Sequence, residues 1–240
     1  MMNDELIEFY NKYPYPDIKK YMSPDINLRN LYDTTLPPSP EIDGKKICIA
    51  GCGTFQTFLI AQHLKKSIVV GVDISETSLT ISKNLCKEYD VNNVVFIKSH
   101  FEDIIDSFDI VLATGVFHHT RDIPAFLNNA YKILNPGGVF RGFVYNIEGR
   151  QTIRELSNYF ISNEFDVSDV RRYFELHKND FYDLQNKQDE EIADTWLNPR
   201  FKEYSVETLN EEFNNTLWKN CTLETDVRND KKKLYFNIKK

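Results

Sequence analysis

The stretch "ICIAGCGTFQTF", Ile47 to Phe58, decides the fold. An apolar run enters a glycine turn, and helix-forming residues follow. In such a strand–turn–helix unit, glycines let the backbone approach a ligand and leave the first helical amides free. Dinucleotide folds add a third glycine and, about twenty residues later, an acid for the ribose hydroxyls. Gly51 and Gly53 fit, but Phe55 and Gln56 occupy the region of the third glycine. Asp73, closing the second apolar run "VVGVD", has the type and spacing of the acid. A missing third glycine disfavours a close pyrophosphate, whereas a nucleoside without phosphates tolerates Phe55.

Working outward, the alternation continues. "KKICIA", "SIVVGVD", "NVVFIKS", "FDIVLAT" and "GVFRGFVY" read as strands. "TFQTFLIAQHLKK", "SETSLTISKNLCKEY" (capped by Ser75) and "IPAFLNNAYKIL" (ended by "NPGG") read as the helices between them. Near-continuous apolar strands separated by helices predict a parallel sheet covered on both faces. "CTLETDVRNDKKKLYFNIKK" reads as a terminal hairpin turning near Asn229–Asp230. The expected fold is therefore α/β: a Rossmann-like, doubly wound, seven-stranded sheet of five parallel strands and an antiparallel hairpin. Before it, "NDELIEFYNKY" is a helix stopped at Pro14, and Ser23 and Pro24 open another short one. After it, "RQTIRELSNYFISN", "SDVRRYFELHK" and "DEEIADTWLNP" form an aromatic-rich helical insertion with no convincing strand. Ser205 caps a last helix with an apolar stripe of Val206, Leu209, Phe213 and Leu217. The expected organisation is an N-terminal helical lid at 1–43, a cofactor-binding core at 44–146, an acceptor-side insertion at 147–204, and the last helix and hairpin at 205–240.

Composition narrows the partners. A net charge of −7, with small basic clusters only near the C-terminus, disfavours nucleic acid. No apolar run approaches the roughly 20 residues that span a bilayer. The N-terminus is acidic where a secretory signal is basic, so a cytoplasmic location is expected. Cys48, Cys52, Cys86 and Cys221 form no Cys-x-x-Cys pair and no zinc spacing, so no metal is expected.

"IAGCGTFQ", "VVGVDIS", "FDIVLATGVFHHT" and "ILNPGGVFRGFVYN" occur in one order and spacing. Together they resemble the class I S-adenosylmethionine-dependent methyltransferases, over roughly residues 44–146. The resemblance implies that the cofactor is S-adenosyl-L-methionine, leaving as S-adenosyl-L-homocysteine. It sets Gly51, Cys52 and Gly53 against the methionine part, Asp73 on the ribose and Ile74 on adenine. It also places His100 and Phe101 near adenine. Two departures stand out: Ile49 replaces an acid that often meets the cofactor's amino group, and His100 stands where Asp is common.

Methyl transfer from a sulfonium is an in-line displacement, so the protein chiefly supplies proximity, orientation and an electrostatic setting. Thr114 and Gly115, at the end of the fourth strand, are expected to flank the reacting sulfur. His118 and His119 on the next loop, and Tyr145 with Asn146 and Arg150 past the fifth strand, are the candidates for catalysis or acceptor contact. Tyr10, Tyr13 and Tyr15 are candidates for a lid whose rings suit a cation, with Tyr13 assigned to the cofactor. Trp196 and Tyr204 are assigned to the insertion's core in preference to a substrate wall. The expected acceptor is a small molecule or peptide. The sequence assigns neither the acceptor atom nor an oligomeric state. Two other readings are a nicotinamide-dependent Rossmann oxidoreductase and a non-catalytic cofactor-binding or interaction protein.

Overall fold

Each apolar run forms the strand its composition predicts. In this computed structural model, which describes residues 5–16, 42–177, 184, 187–227 and 231–240, helix α1 (Glu5–Lys12) precedes the core. The core runs β1 (Lys46–Ala50), α2 (Gln56–His63), β2 (Ile68–Asp73), α3 (Glu76–Glu88), β3 (Val94–Lys98), β4 (Phe108–Thr114), α4 (Ile123–Ile133) and β5 (Leu134–Asn146). The insertion carries α5 (Gln151–Ser162), α6 (Val167–His177) and α7 (Asp189–Ile192), which continues as a π-helix over Ala193–Leu197. Strand β6 (Glu203–Tyr204), helix α8 (Val206–Asn214) and the hairpin β7 (Leu223–Asp226) and β8 (Lys233–Lys239) complete it. The helix opened by Ser23, and the turn near Asn229–Asp230, lie outside the described residues.

The sheet order is β3-β2-β1-β4-β5-β8-β7. Strands β1 to β5 are parallel, while β8 runs antiparallel to both β5 and β7. The order reverses between β1 and β4, which creates the crevice where ligands settle in open α/β sheets. Two details extend the sequence reading. Glu203 and Tyr204 pair with Tyr145 and Asn146, adding a short eighth strand inside the insertion. Strand β5 also begins earlier than "GVFRGFVY": Leu134 already pairs with Phe108, and the ladder tolerates "NPGG" through a register shift. Gly137 bends there at φ +78°.

The pleat divides the core by alternate residues. Cys48 and Ala50 of β1 face the α4 and α8 side, with Phe117, Phe126, Phe140, Phe213 and Trp218. Ile47 and Ile49 face the α2 and α3 side. A third cluster, built on Phe160, Phe174 and Trp196, belongs to the insertion and receives Phe9 of α1 and Tyr13 just past its end. Trp196 is therefore core, as assigned, whereas Tyr204 packs into the sheet's own core. Of the stripe on α8, Leu209 and Phe213 are buried, but Val206 and Leu217 are exposed. The helix stops at Asn214, and the following turns carry Trp218 inward instead, where its Nε1 donates to the Leu127 carbonyl at 2.8 Å. Among the described residues no helix is long and apolar enough to cross a membrane.

Trp218→Ala removes a fully buried indole and its hydrogen bond, and is expected to cost about 3–5 kcal/mol. Urea denaturation, with its slope unchanged, measures this; a loss below about 1 kcal/mol contradicts the assignment.

Candidate active site

A cavity of about 800 Å³ opens at the carboxyl ends of β1, β2, β4 and β5. Its first wall is the glycine turn. Gly51 and Gly53 both adopt φ +58°, a conformation that favours glycine. A Cβ would also collide: at Gly51 with Val116 Cγ1 at 2.6 Å, and at Gly53 with the Tyr15 carbonyl at 2.6 Å. The glycines thus admit neighbouring chain as well as leaving the turn open toward the cavity. Cys52 is buried beside them, and burial raises its thiol well above its ordinary value. Its amide donates to Val72, which fastens the turn to β2.

Asp73 ends β2 opposite the turn. One carboxylate oxygen accepts from the Gly53 amide at 2.8 Å, and the other from the Ser75 amide at 2.9 Å. A carboxylate offers about four lone-pair positions, more than these two amides fill. Burial raises its pKa, opposed by the amides of Ser75, Gly53 and Ile74. Ile74, His100 and Phe101 continue this end of the wall, with Phe101 buried and His100 exposed. Thr114 and Gly115 lie between the two ends, and Gln56 Nε2 donates to Thr114 Oγ1 at 2.8 Å. Ile49 is sealed in the core rather than in the cavity.

The second end is lined by Tyr10, His119, Tyr145, Arg150 and Asp194. Tyr10 donates to Asp194 at 3.1 Å and accepts from Asn198 Nδ2 at 2.9 Å. The Tyr145 hydroxyl reaches the same carboxylate. Burial, then Asp194, pushes both phenols up. Burial also pushes Asp194 up to about 6, opposed by Tyr10 and Arg150. The Arg150 guanidinium lies over the Tyr145 ring at 3.5 Å and bonds Glu203, which also binds Arg154.

The His pair separates into two roles. His119 lines the cavity, and its Nδ1 lies 2.5 Å from the Arg200 carbonyl. Only an N–H can donate to a carbonyl, so Nδ1 carries the proton and Nε2 the lone pair. Burial lowers its pKa to about 4 despite that bond, with Arg150 and Arg200 adding to the effect, so it is neutral at pH 7. His118 does not line the cavity. It is 1% exposed, packed 4.2 Å from the His119 ring and 4.1 Å from the Tyr145 ring, and neither ring nitrogen finds a partner among the described residues. Burial, with His119 and Arg150 nearby, drives its pKa well below the ordinary value.

Two other assignments shift. Tyr13 packs on the insertion core, because Phe9 and Tyr13, one helical turn apart, share that face of α1. Tyr10 and Tyr15 face the cavity instead. Asn146 caps the turn after β5 and donates to the Lys231 carbonyl, so it supports the chain rather than the cavity. Arg171 bonds Asp189 and the carbonyls of Leu184 and Lys187. Sequence reasoning missed Asp194 and Asn198. In a regular helix Ile192 and Trp196 mark the inward face and Asp194 the outward one. Asp194 stands in the π-helical turn, and its side of that turn faces the cavity.

The fold is that of the class I S-adenosylmethionine-dependent methyltransferases, and residues 49–140 match the model of a methyltransferase domain family. The chain carries within that stretch the glycine turn, Asp73 and Thr114. It is 26% identical, over 83% of its length, to an uncharacterized protein of Synechococcus, and spans 55% of that protein. It is 27% identical to Arabidopsis thaliana phosphoethanolamine N-methyltransferase 1, over 57% of this chain and 28% of the other. The chain thus spans about half, or less, of these curated relatives. Among solved structures, PKMT2 of Rickettsia typhi superposes with a TM-score of 0.64 at 16% identity, covering 96% of this chain and 53% of the other. The residues present fit the cofactor: Asp73 lines the cavity beside an open glycine turn, where a ribose diol would add donors to its carboxylate.

The raised pKa of Asp194 has a stability consequence. Its ionisation is disfavoured in the folded state, so the penalty is absent below about pH 4, grows through about pH 6 and is complete above it. Asp194→Asn is expected to stabilise the ligand-free protein at pH 8 by on the order of 2 kcal/mol relative to its effect at pH 4. Urea titrations at both pH values measure this; an equal effect at the two contradicts it.

Proposed function

We propose that this chain transfers a methyl group from S-adenosylmethionine to a small-molecule or peptide acceptor. The observation that carries the reading is Asp73, held by Gly53 and Ser75 at one end of a cavity whose other end is lined by His119, Tyr145 and Asp194. When bound, the cofactor supplies an electrophilic methyl on a sulfonium. Asp73 orients the ribose through two hydrogen bonds, and the glycine turn receives the amino-acid part. Thr114 and Gly115 flank the passage between the two ends. Neutral His119 offers a lone pair at Nε2 to an acceptor proton. His118 positions His119 and Tyr145 by packing from behind.

Residues 1–43 act as the lid in this reading, 44–146 as the cofactor core, 147–204 as the acceptor side and 205–240 as the part that completes the sheet. The lid role is supported by α1: Tyr10 bonds Asp194 while its carbonyl lies 3.1 Å from Ser75 Oγ, so one short helix touches both ends of the cavity. An acceptor of small-molecule type is supported by the Arabidopsis relative, whose name gives phosphoethanolamine. A reducing, cytoplasmic setting is supported by four free cysteines, three of them buried.

Thermal shift tests this against the nicotinamide alternative. S-adenosylhomocysteine is expected to raise the midpoint and NAD to leave it unchanged; the reverse result overturns the proposal. Asp73→Ala is expected to weaken S-adenosylhomocysteine binding at least tenfold by calorimetry, since two charge-assisted hydrogen bonds are lost. His119→Ala is expected to lower turnover while leaving that affinity within about twofold, and unchanged turnover removes His119 from the chemistry.

A further inference from the structure

We infer, building on the methyl-transfer reading, that the acceptor is an amine and that its ammonium form docks on Asp194. Asp194 is 8% exposed, lines the cavity, and is a carboxylate with no cation bonded to it among the described residues. The cation that acts on it, Arg150, spends its Nε on Glu203 and its face on Tyr145. A buried carboxylate gains most from a partner of opposite charge that also donates hydrogen bonds.

The surroundings favour an ammonium over the other acceptor types. Tyr10 and Tyr145 both reach the carboxylate, so two aromatic rings stand beside the place a cation would take. The hydroxyls orient the carboxylate without neutralising it. His119, beside Tyr145, carries no proton at Nε2 and therefore no competing charge. An anionic acceptor would meet Asp194 as a like charge. A hydroxyl or thiol would add no charge to oppose the carboxylate beyond Arg150, which Glu203 already engages.

The step balances without a further reactant. The docked ammonium releases one proton to the Nε2 lone pair of His119, which leaves a nitrogen lone pair. That pair forms the new N–CH3 bond as the S–CH3 bond breaks, and the electrons of the broken bond stay on sulfur. Positive charge passes from the sulfonium, which becomes a neutral thioether, to the methylated nitrogen, which still faces Asp194.

The test uses binding rather than turnover. n-Butylammonium chloride, 1-pentanol and sodium butyrate are titrated into the protein saturated with S-adenosylhomocysteine, and saturation-transfer NMR reads the affinity. Butylammonium is expected to bind, and to bind better than pentanol or butyrate. Asp194→Asn is expected to weaken it at least tenfold while keeping the wild-type affinity for S-adenosylhomocysteine, which also shows that the variant is folded. No butylammonium binding to the wild type, a preference for pentanol or butyrate, or unchanged binding by Asp194→Asn overturns the inference and leaves methyl transfer standing. Failure of S-adenosylhomocysteine to bind the wild type is a distinct result that removes both.

Discussion

Everything at this site is arranged around one carboxylate held by backbone amides. Asp73 accepts from Gly53 at the end of the glycine turn and from Ser75 at the start of α3. Those bonds join the ends of β1 and β2 on the side where the strand order reverses. Ser75 extends the arrangement. Its hydroxyl caps α3 through the Ser78 amide and lies 2.9 Å from Asn11 Oδ1 on α1. The N-terminal helix is thereby registered on the same few atoms that would hold a ribose. Burial raises the pKa of Asp73, and the amides offset part of that effect. Two further donors from a ligand would offset more, which is the physical reason a diol is the natural complement.

The second end of the cavity depends on a different constraint, the burial of charge. Tyr10, Tyr145, Asp194, Arg150 and Glu203 form one connected polar set inside an aromatic wall. In such a setting every removal leaves a buried group short of a partner. Arg150 shows how the set is closed: Glu203 takes its Nε and Tyr145 takes its face. Strand β6 exists to bring Glu203 there, since its two residues pair beside Tyr145. The insertion therefore contributes both the carboxylate at the wall and the one that anchors the wall's arginine.

The core was legible because its determinants are local. β1 and β4 are continuous apolar runs, the turn needs glycine at positive φ, and Ser75 and Ser205 are caps whose partners lie three residues on. What escaped the sequence depends on distant chain. β6 is two residues long and becomes a strand only because Tyr145 lies alongside. Helical periodicity cannot separate Tyr10 from Tyr13, both near one face of α1; the insertion core chooses Tyr13 and the cavity takes Tyr10. Asp194 is hidden for the same reason, because the side of its helix away from Ile192 and Trp196 meets the cavity rather than solvent. His118 and His119 are alike in sequence, and only the third dimension puts one at the wall and the other behind it.

The central claim is that Asp73 and the glycine turn form a nucleoside–amino-acid site. The crystal structure of the complex with S-adenosylhomocysteine tests it most directly. The account predicts both ribose hydroxyls within hydrogen-bond distance of the Asp73 oxygens, the amino-acid part at Gly51–Gly53, and the sulfur between Gly115 and the His119 end. A ligand seated elsewhere, or one that leaves Asp73 bonded only to Gly53 and Ser75, would contradict it.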